Sequence, residues 1–136
     1  MRRPRDRSKA AQRNSRKTQE MPALKVQLQF EMEFSPAEYE QLALGLLPRD
    51  MDDRWFIFLE DNWLSIHRSW TGFCIYLCRI EPDAAKYKVV ETWVNRNSEQ
   101  YNASDDSWDC ALLFWLINTF LLGKEVSFPS RENLTA

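Results

Sequence analysis

Between Trp55 and Asn95 the chain sets four apolar stretches end to end: Trp55 to Leu59, Trp63 to Ser69, Phe73 to Glu81 and Tyr87 to Asn95. Only Glu60-Asp61-Asn62, Trp70-Thr71-Gly72 and Pro82-Asp83-Ala84-Ala85 separate them. Connections this short cannot carry a crossover, so consecutive strands must run antiparallel. The centre of the fold is therefore an antiparallel meander.

Two flanking regions complete it. From Leu24 to Phe34 every second residue is apolar (Leu24, Val26, Leu28, Phe30, Met32, Phe34), with polar side chains between, which predicts a half-buried strand. Ser35-Pro36-Ala37-Glu38 then has the composition of a helix start, with Ser35 as cap, Pro36 in the first turn and Glu38 closing a capping box. That helix carries Tyr39, Leu42, Ala43, Leu46 and Leu47 and ends at Pro48. After a polar loop from Arg96 to Ser104, the stretch Asp105 to Leu122 reads as the main helix, with acids at its N-terminus and Gly123 at its end. The expected class is α+β: an antiparallel sheet of about five strands in the order β-α-β-β-β-β-α, with two helices packed on one face.

Charge is distributed unevenly. From Met1 to Glu20 eight basic residues stand against Asp6 and Glu20, which leaves ten basic and eighteen acidic residues for the remainder. The basic segment holds almost no apolar side chains, so residues 1–22 are expected to be a disordered arm, 23–130 a single α+β domain and 131–136 a flexible tail. Met21 is a second candidate start. An acidic domain repels phosphate backbones, so nucleic acid is an expected partner only weakly, through the arm. No apolar run reaches the length of a membrane span and none follows the basic start, so a cytoplasmic protein without membrane attachment is expected.

Familiar catalytic signatures are missing from the sequence. Three glycines build no phosphate-cradling loop. Cys74 and Cys78 on one strand face would stand about 13 Å apart, too far to share a zinc ion, so neither metal nor cofactor is expected. Three cysteines make no disulfide framework. The tryptophans Trp55, Trp63, Trp93, Trp108 and Trp115 read as core residues, whereas Trp70 falls in a turn.

The candidate site grows from strand alternation. Leu64, Ile66 and Arg68 share one face, so Arg68 ends an apolar stripe, where a guanidinium requires a carboxylate, carbonyls or a bound anion. Antiparallel pairing returns Asn95 and Arg96 to the same rim. Arg68, Ser69, Trp70, Thr71, Asn95, Arg96 and Tyr101 thus form a candidate binding site for a phosphate-bearing or carboxylate ligand. The competing reading makes Arg68 and Arg96 structural partners of Asp105, Asp106 or Glu99. His67 is the candidate base of an alternative small hydrolase or transferase. In a third reading the acidic surface meets a basic protein partner, as immunity or antitoxin-like proteins do. The leading expectation is a non-enzymatic binding or regulatory module for an anionic ligand or acidic segment, around Arg68 and Arg96.

Several of these strings resemble a known pattern. Asp53-Arg54-Trp55-Phe56-Ile57-Phe58, Glu60-Asp61-Asn62-Trp63-Leu64, His67-Arg68-Ser69-Trp70-Thr71-Gly72 and Ile75-Tyr76 resemble a family of small uncharacterised bacterial proteins. Val94-Asn95-Arg96, Leu121-Leu122-Gly123-Lys124 and Phe128-Pro129 continue the resemblance, which spans Pro48 to Pro129. It implies a nucleotide-like or ADP-ribosyl context and carries over no catalytic residue.

Overall fold

The structure, a computed structural model, describes residues 10–50 and 52–130. Eight regular elements follow in order: β1 (Lys25–Gln27), β2 (Glu33–Phe34), α1 (Pro36–Leu44), β3 (Trp55–Glu60), β4 (Trp63–Arg68), β5 (Cys74–Asp83), β6 (Lys86–Asn95) and α2 (Asp106–Leu116). The sheet has six strands in the order β1-β6-β5-β4-β3, with β2 also on β6, and every pairing is antiparallel. The α+β class and the meander thus stand as the sequence predicts.

Local chemistry explains the turns. Asp61 and Asn62 both hold positive φ, at 53° and 68°, which suits the tight turn between β3 and β4 and the two residue types that tolerate it. Ser35 caps α1 and exchanges its bond with Glu38, the reciprocal box expected from the sequence. Helix α1 stops earlier than expected, at Gly45 rather than Pro48. There Leu46 exchanges backbone bonds of 2.8 and 3.0 Å with Ile57, covering the outer edge of β3. A Cβ on Gly45 would lie 2.3 Å from the Ile57 carbonyl oxygen, so only glycine admits this approach.

Three further boundaries differ from expectation. The alternating segment Leu24 to Phe34 is not one strand: β1 and β2 pair separately with β6, and Leu28 to Met32 bridge the gap. Alternation reports a half-buried path, which the chain keeps through Leu28 and Phe34 without a continuous ladder, while Leu24 stays exposed. Strand β5 runs on through Pro82 and Asp83, and the hairpin turns at Ala84, whose φ is 56°. Helix α2 widens into a π-helical turn over Ile117–Leu121 before Gly123.

The two faces of the sheet are covered differently. Trp55, Ile57, Leu64, Ile66, Tyr76, Cys78 and Val94 point to the face where Leu42 of α1 and Leu112, Leu113 and Leu116 of α2 pack. Phe56 and Phe58 point to the other face and are buried with Ala11 and Leu47. Residues 10–20 act there as a strap. Ala11 N–H donates to the Leu44 carbonyl and Gln19 N–H to that of Gly72, both at 2.9 Å. Arg13 lies over the Phe58 ring and pairs with Glu60, and Arg16 donates to the Pro48 carbonyl. The expected arm therefore divides: residues 1–9 and the tail 131–136 lie outside the described residues, while 10–20 run along the sheet.

Gly72 makes the strap possible. Its φ is +76°, and an added Cβ would sit 2.6 Å from the Lys17 carbonyl oxygen. Gly72→Ala is expected to cost about 1–3 kcal/mol by strain and displacement. Trypsin should then cut the strap at Arg16 or Lys17 several-fold faster while the sheet persists; an unchanged cleavage rate would show that the strap is not held there.

Candidate functional site

Strands β3 and β4 place Trp55 and Arg68 opposite each other in register. The Arg68 guanidinium lies over the Trp55 ring, 4.4 Å from its centroid, as cross-strand neighbours of this kind can. Burial pulls the Arg68 pKa down, and the nearby charge of Arg54 acts in the same direction. Among the described residues no carboxylate pairs with either Arg54 or Arg68. Both arginines line a cleft of about 1490 Å³ between the α1–β3 connection, the loop after β6 and the C-terminal helix. Trp108, Trp115, Phe120 and Phe128 form its far wall. The same two arginines also line a smaller hollow of about 340 Å³, with Trp70, Thr71, Phe73, Glu99 and Gln100.

Ser69 fixes this geometry. Its hydroxyl donates to the Asp53 carbonyl and its backbone N–H to that of Arg54, tying the start of β3 to the end of β4. Arg54 is thereby held beside Arg68. Thr71 is exposed and its hydroxyl accepts from Phe73 N–H, tightening the turn. Trp70 is 67% exposed at the lip of the small hollow.

Asn95, Arg96 and Tyr101 have other duties. Asn95 is fully buried; its amide donates to the Cys74 carbonyl and to Gln100 Oε1, and its oxygen accepts from Asn97 N–H. Arg96 pairs with Asp106 Oδ1 and stands 2.6 Å from Asp109 Oδ2, close enough for a charge pair though off line for a hydrogen bond. It also donates to the Ala103 carbonyl. Ion pairing with the helix is therefore found for Arg96, and Arg68 stands apart from it. Tyr101 lines the cleft, but its hydroxyl donates to Asp109 Oδ1 at 2.6 Å. Tyr76 donates to the same oxygen, also at 2.6 Å. Burial first, then the neighbouring phenol and carboxylate, raise the pKa of Tyr76; burial and the Asp109 bond raise that of Tyr101. Both remain neutral donors.

His67 is 2% exposed and its ring stacks on Phe58. Nδ1 lies 2.9 Å from the Gly72 carbonyl, which can only accept, so Nδ1 carries the hydrogen. Nε2 is buried without a hydrogen-bond partner on the strap side of the sheet, away from the cleft. A substrate in the cleft has no path to it. Cys74 and Cys78 are buried thiols pushed up to about 12 by desolvation, and hence unreactive at neutral pH. Among the described residues no group of side chains has the composition of a metal site, and no helix is long and apolar enough to cross a membrane.

Sequence reasoning missed Arg54, which directly precedes an apolar strand as Arg68 ends one. That symmetry was the available signal. It also read Trp108 and Trp115 as core, whereas both are half-buried on the cleft wall. Asp109, the central acceptor, is absent from the candidate site read from the sequence, where an acid just after Asp105 and Asp106 reads as helix N-terminal charge. Compared with family models, with curated proteins and with solved structures, the chain matches none.

Two outcomes test these roles. Asp109→Ala removes the acceptor shared by two buried phenols and one of the two carboxylates facing Arg96, and is expected to cost about 3–5 kcal/mol in urea unfolding; a loss comparable to a surface substitution would remove the network from the core. His67 has its pKa lowered below the ordinary 6.5, chiefly by burial and further by Arg13, against an opposing effect of the Gly72 carbonyl. The unfolded chain therefore binds the proton first. Stability is complete above the ordinary histidine value and falls as pH drops below it, by at most about 1.4 kcal/mol per pH unit. His67→Gln should flatten that slope between about pH 6.5 and 5 in chemical denaturation.

Proposed function

We propose that the protein is a non-enzymatic binding module that takes an anionic ligand at the rim between β3 and β4, with Arg68 and Arg54 as its anchors. One observation carries this reading: two guanidinium groups line both a cleft and a hollow, and although Asp52, Asp53 and Glu99 line the same spaces, no carboxylate among the described residues stands within ion-pair distance of either. Arg68 is half-buried and Arg54 exposed beside it, and an anion placed between two like charges relieves their repulsion. The neutral tryptophan beneath Arg68 orients its fork without cancelling its charge, which leaves the donors available for bidentate contact.

Arg96 supports this site from behind. It locks α2 to the end of β6 and so positions Tyr101 and Trp108 on the cleft wall. Ser69 supports it from below by holding Arg54. Trp70 and Thr71 supply the lip of the small hollow.

Binding should raise the unfolding midpoint by mass action. In thermal unfolding against pyrophosphate, nucleotides, sugar phosphates and dicarboxylates, at least one anion is expected to raise it. Arg68→Ala and Arg54→Ala should each abolish that shift; Arg54→Ala, an exposed change with no ion pair among the described residues, leaves the unliganded midpoint nearly unchanged, while Arg68→Ala also loses its stack on Trp55. Arg96→Ala should instead lower the unliganded midpoint itself. No shift with any anion, or a shift untouched by both rim substitutions, would overturn the proposal.

A further inference from the structure

The site has more room than an anion needs. A phosphate set between Arg54 and Arg68 would leave both the cleft of about 1490 Å³ and the hollow of about 340 Å³ open on either side of it. Small-molecule sites commonly enclose roughly 300–1000 Å³, so the hollow has the size of one such group and the larger, open cleft has room to spare for another. The two spaces also differ in character. Trp115 meets Phe128 and Phe120 edge to face at 4.8 and 5.3 Å, and Phe128 also meets Trp108 at 5.9 Å. Phe128 is 55% exposed on the cleft, so part of its ring remains open there beside half-buried Trp115. Such faces receive a flat ring. The hollow instead offers an exposed carboxylate, Glu99, and the amide of Gln100 beside Trp70 and Thr71, partners suited to hydroxyl groups.

Charge restricts the connecting group. Two guanidiniums are balanced by a dianion, which a diphosphate linkage supplies and a single carboxylate does not.

Resting on the anion-binding reading above, we propose that the ligand is a nucleoside diphosphate ester. Its base lies against Phe128 and Trp115 in the cleft, its diphosphate on Arg54 and Arg68, and its hydroxylated group in the hollow beside Glu99 and Trp70. No bond is made or broken. The protein recognises three parts of one molecule, with the two arginines at the junction.

The test is calorimetric titration of the full chain with pyrophosphate, ADP, ADP-glucose and UDP-glucose, the last pair guarding against base preference. Affinity is expected to rise from pyrophosphate to ADP and again to at least one of the sugar nucleotides. Phe128→Ala, an exposed change, should weaken ADP by about fivefold or more while leaving pyrophosphate unaffected, as loss of one stacking face does. Trp70→Ala and Glu99→Ala, also exposed, should bring the sugar nucleotide down to the affinity of ADP and leave ADP itself unchanged. Circular dichroism of each variant verifies the fold. Pyrophosphate binding as tightly as ADP would overturn the aromatic subsite, and sugar nucleotides binding no better than ADP would overturn the hollow. Tighter binding of decanoate than of any nucleotide would replace the class with an acyl anion. In all three cases the anchors at Arg54 and Arg68 still stand. Failure of every anion, pyrophosphate included, would instead remove the anion site itself.

Discussion

A single buried carboxylate organises this protein. Asp109 is wholly inaccessible, yet it receives the hydroxyls of Tyr76 and Tyr101 on one oxygen and faces Arg96 with the other. Those four residues come from β5, from two places in the loop after β6, and from α2. A charge placed so deep is costly unless its lone pairs are met, and here the partners come from β5 and from the loop after β6. The helix can therefore occupy only one position on the sheet. The cleft wall of Trp108, Trp115 and Phe128 inherits that position, so the geometry of the open site is set by an interaction that does not touch it.

The division between Arg96 and Arg68 follows from this. Both are cations at one end of the sheet, and from the sequence they are equivalent. Arg96 lies where α2 begins and its charge is consumed by Asp106 and Asp109. Arg68 lies one strand pair away, over an indole that attracts it without neutralising it. Ser69 then brings Arg54 alongside through two backbone carbonyls. Fold stability and charge available for a ligand are thus kept on separate arginines.

The meander was legible because its turns are short and chemically marked: Asp61-Asn62 accept positive φ, and Gly72 allows a return no other residue permits. The capping box at Ser35 and Glu38 was legible for the same local reason. Leu24 to Phe34 misled because alternation describes which side chains are inward and says nothing of ladder continuity. Of the site, Arg68 could be placed by alternation alone, since it ends the stripe of Leu64 and Ile66. Arg54 and Asp109 could not. One depends on a hydroxyl just beyond β4, the other on two phenols and a guanidinium brought together from β5 and the loop after β6.

The strap imposes an order of events on folding. Residues 10–20 leave the ribosome ahead of the sheet, but their docking points do not exist until Leu44, Phe58 and the Gly72 turn have been made and paired. Their attachments are mainly two backbone bonds, the side chains of Arg13 and Arg16 and one small apolar side chain, too little to hold before the surface beneath is complete. The first of the described residues to be synthesised must then be among the last to settle. Until they do, Phe56, Phe58 and His67 form an uncovered sheet face on the nascent chain, and in that interval a neighbouring nascent chain or a chaperone competes for the place the strap will take.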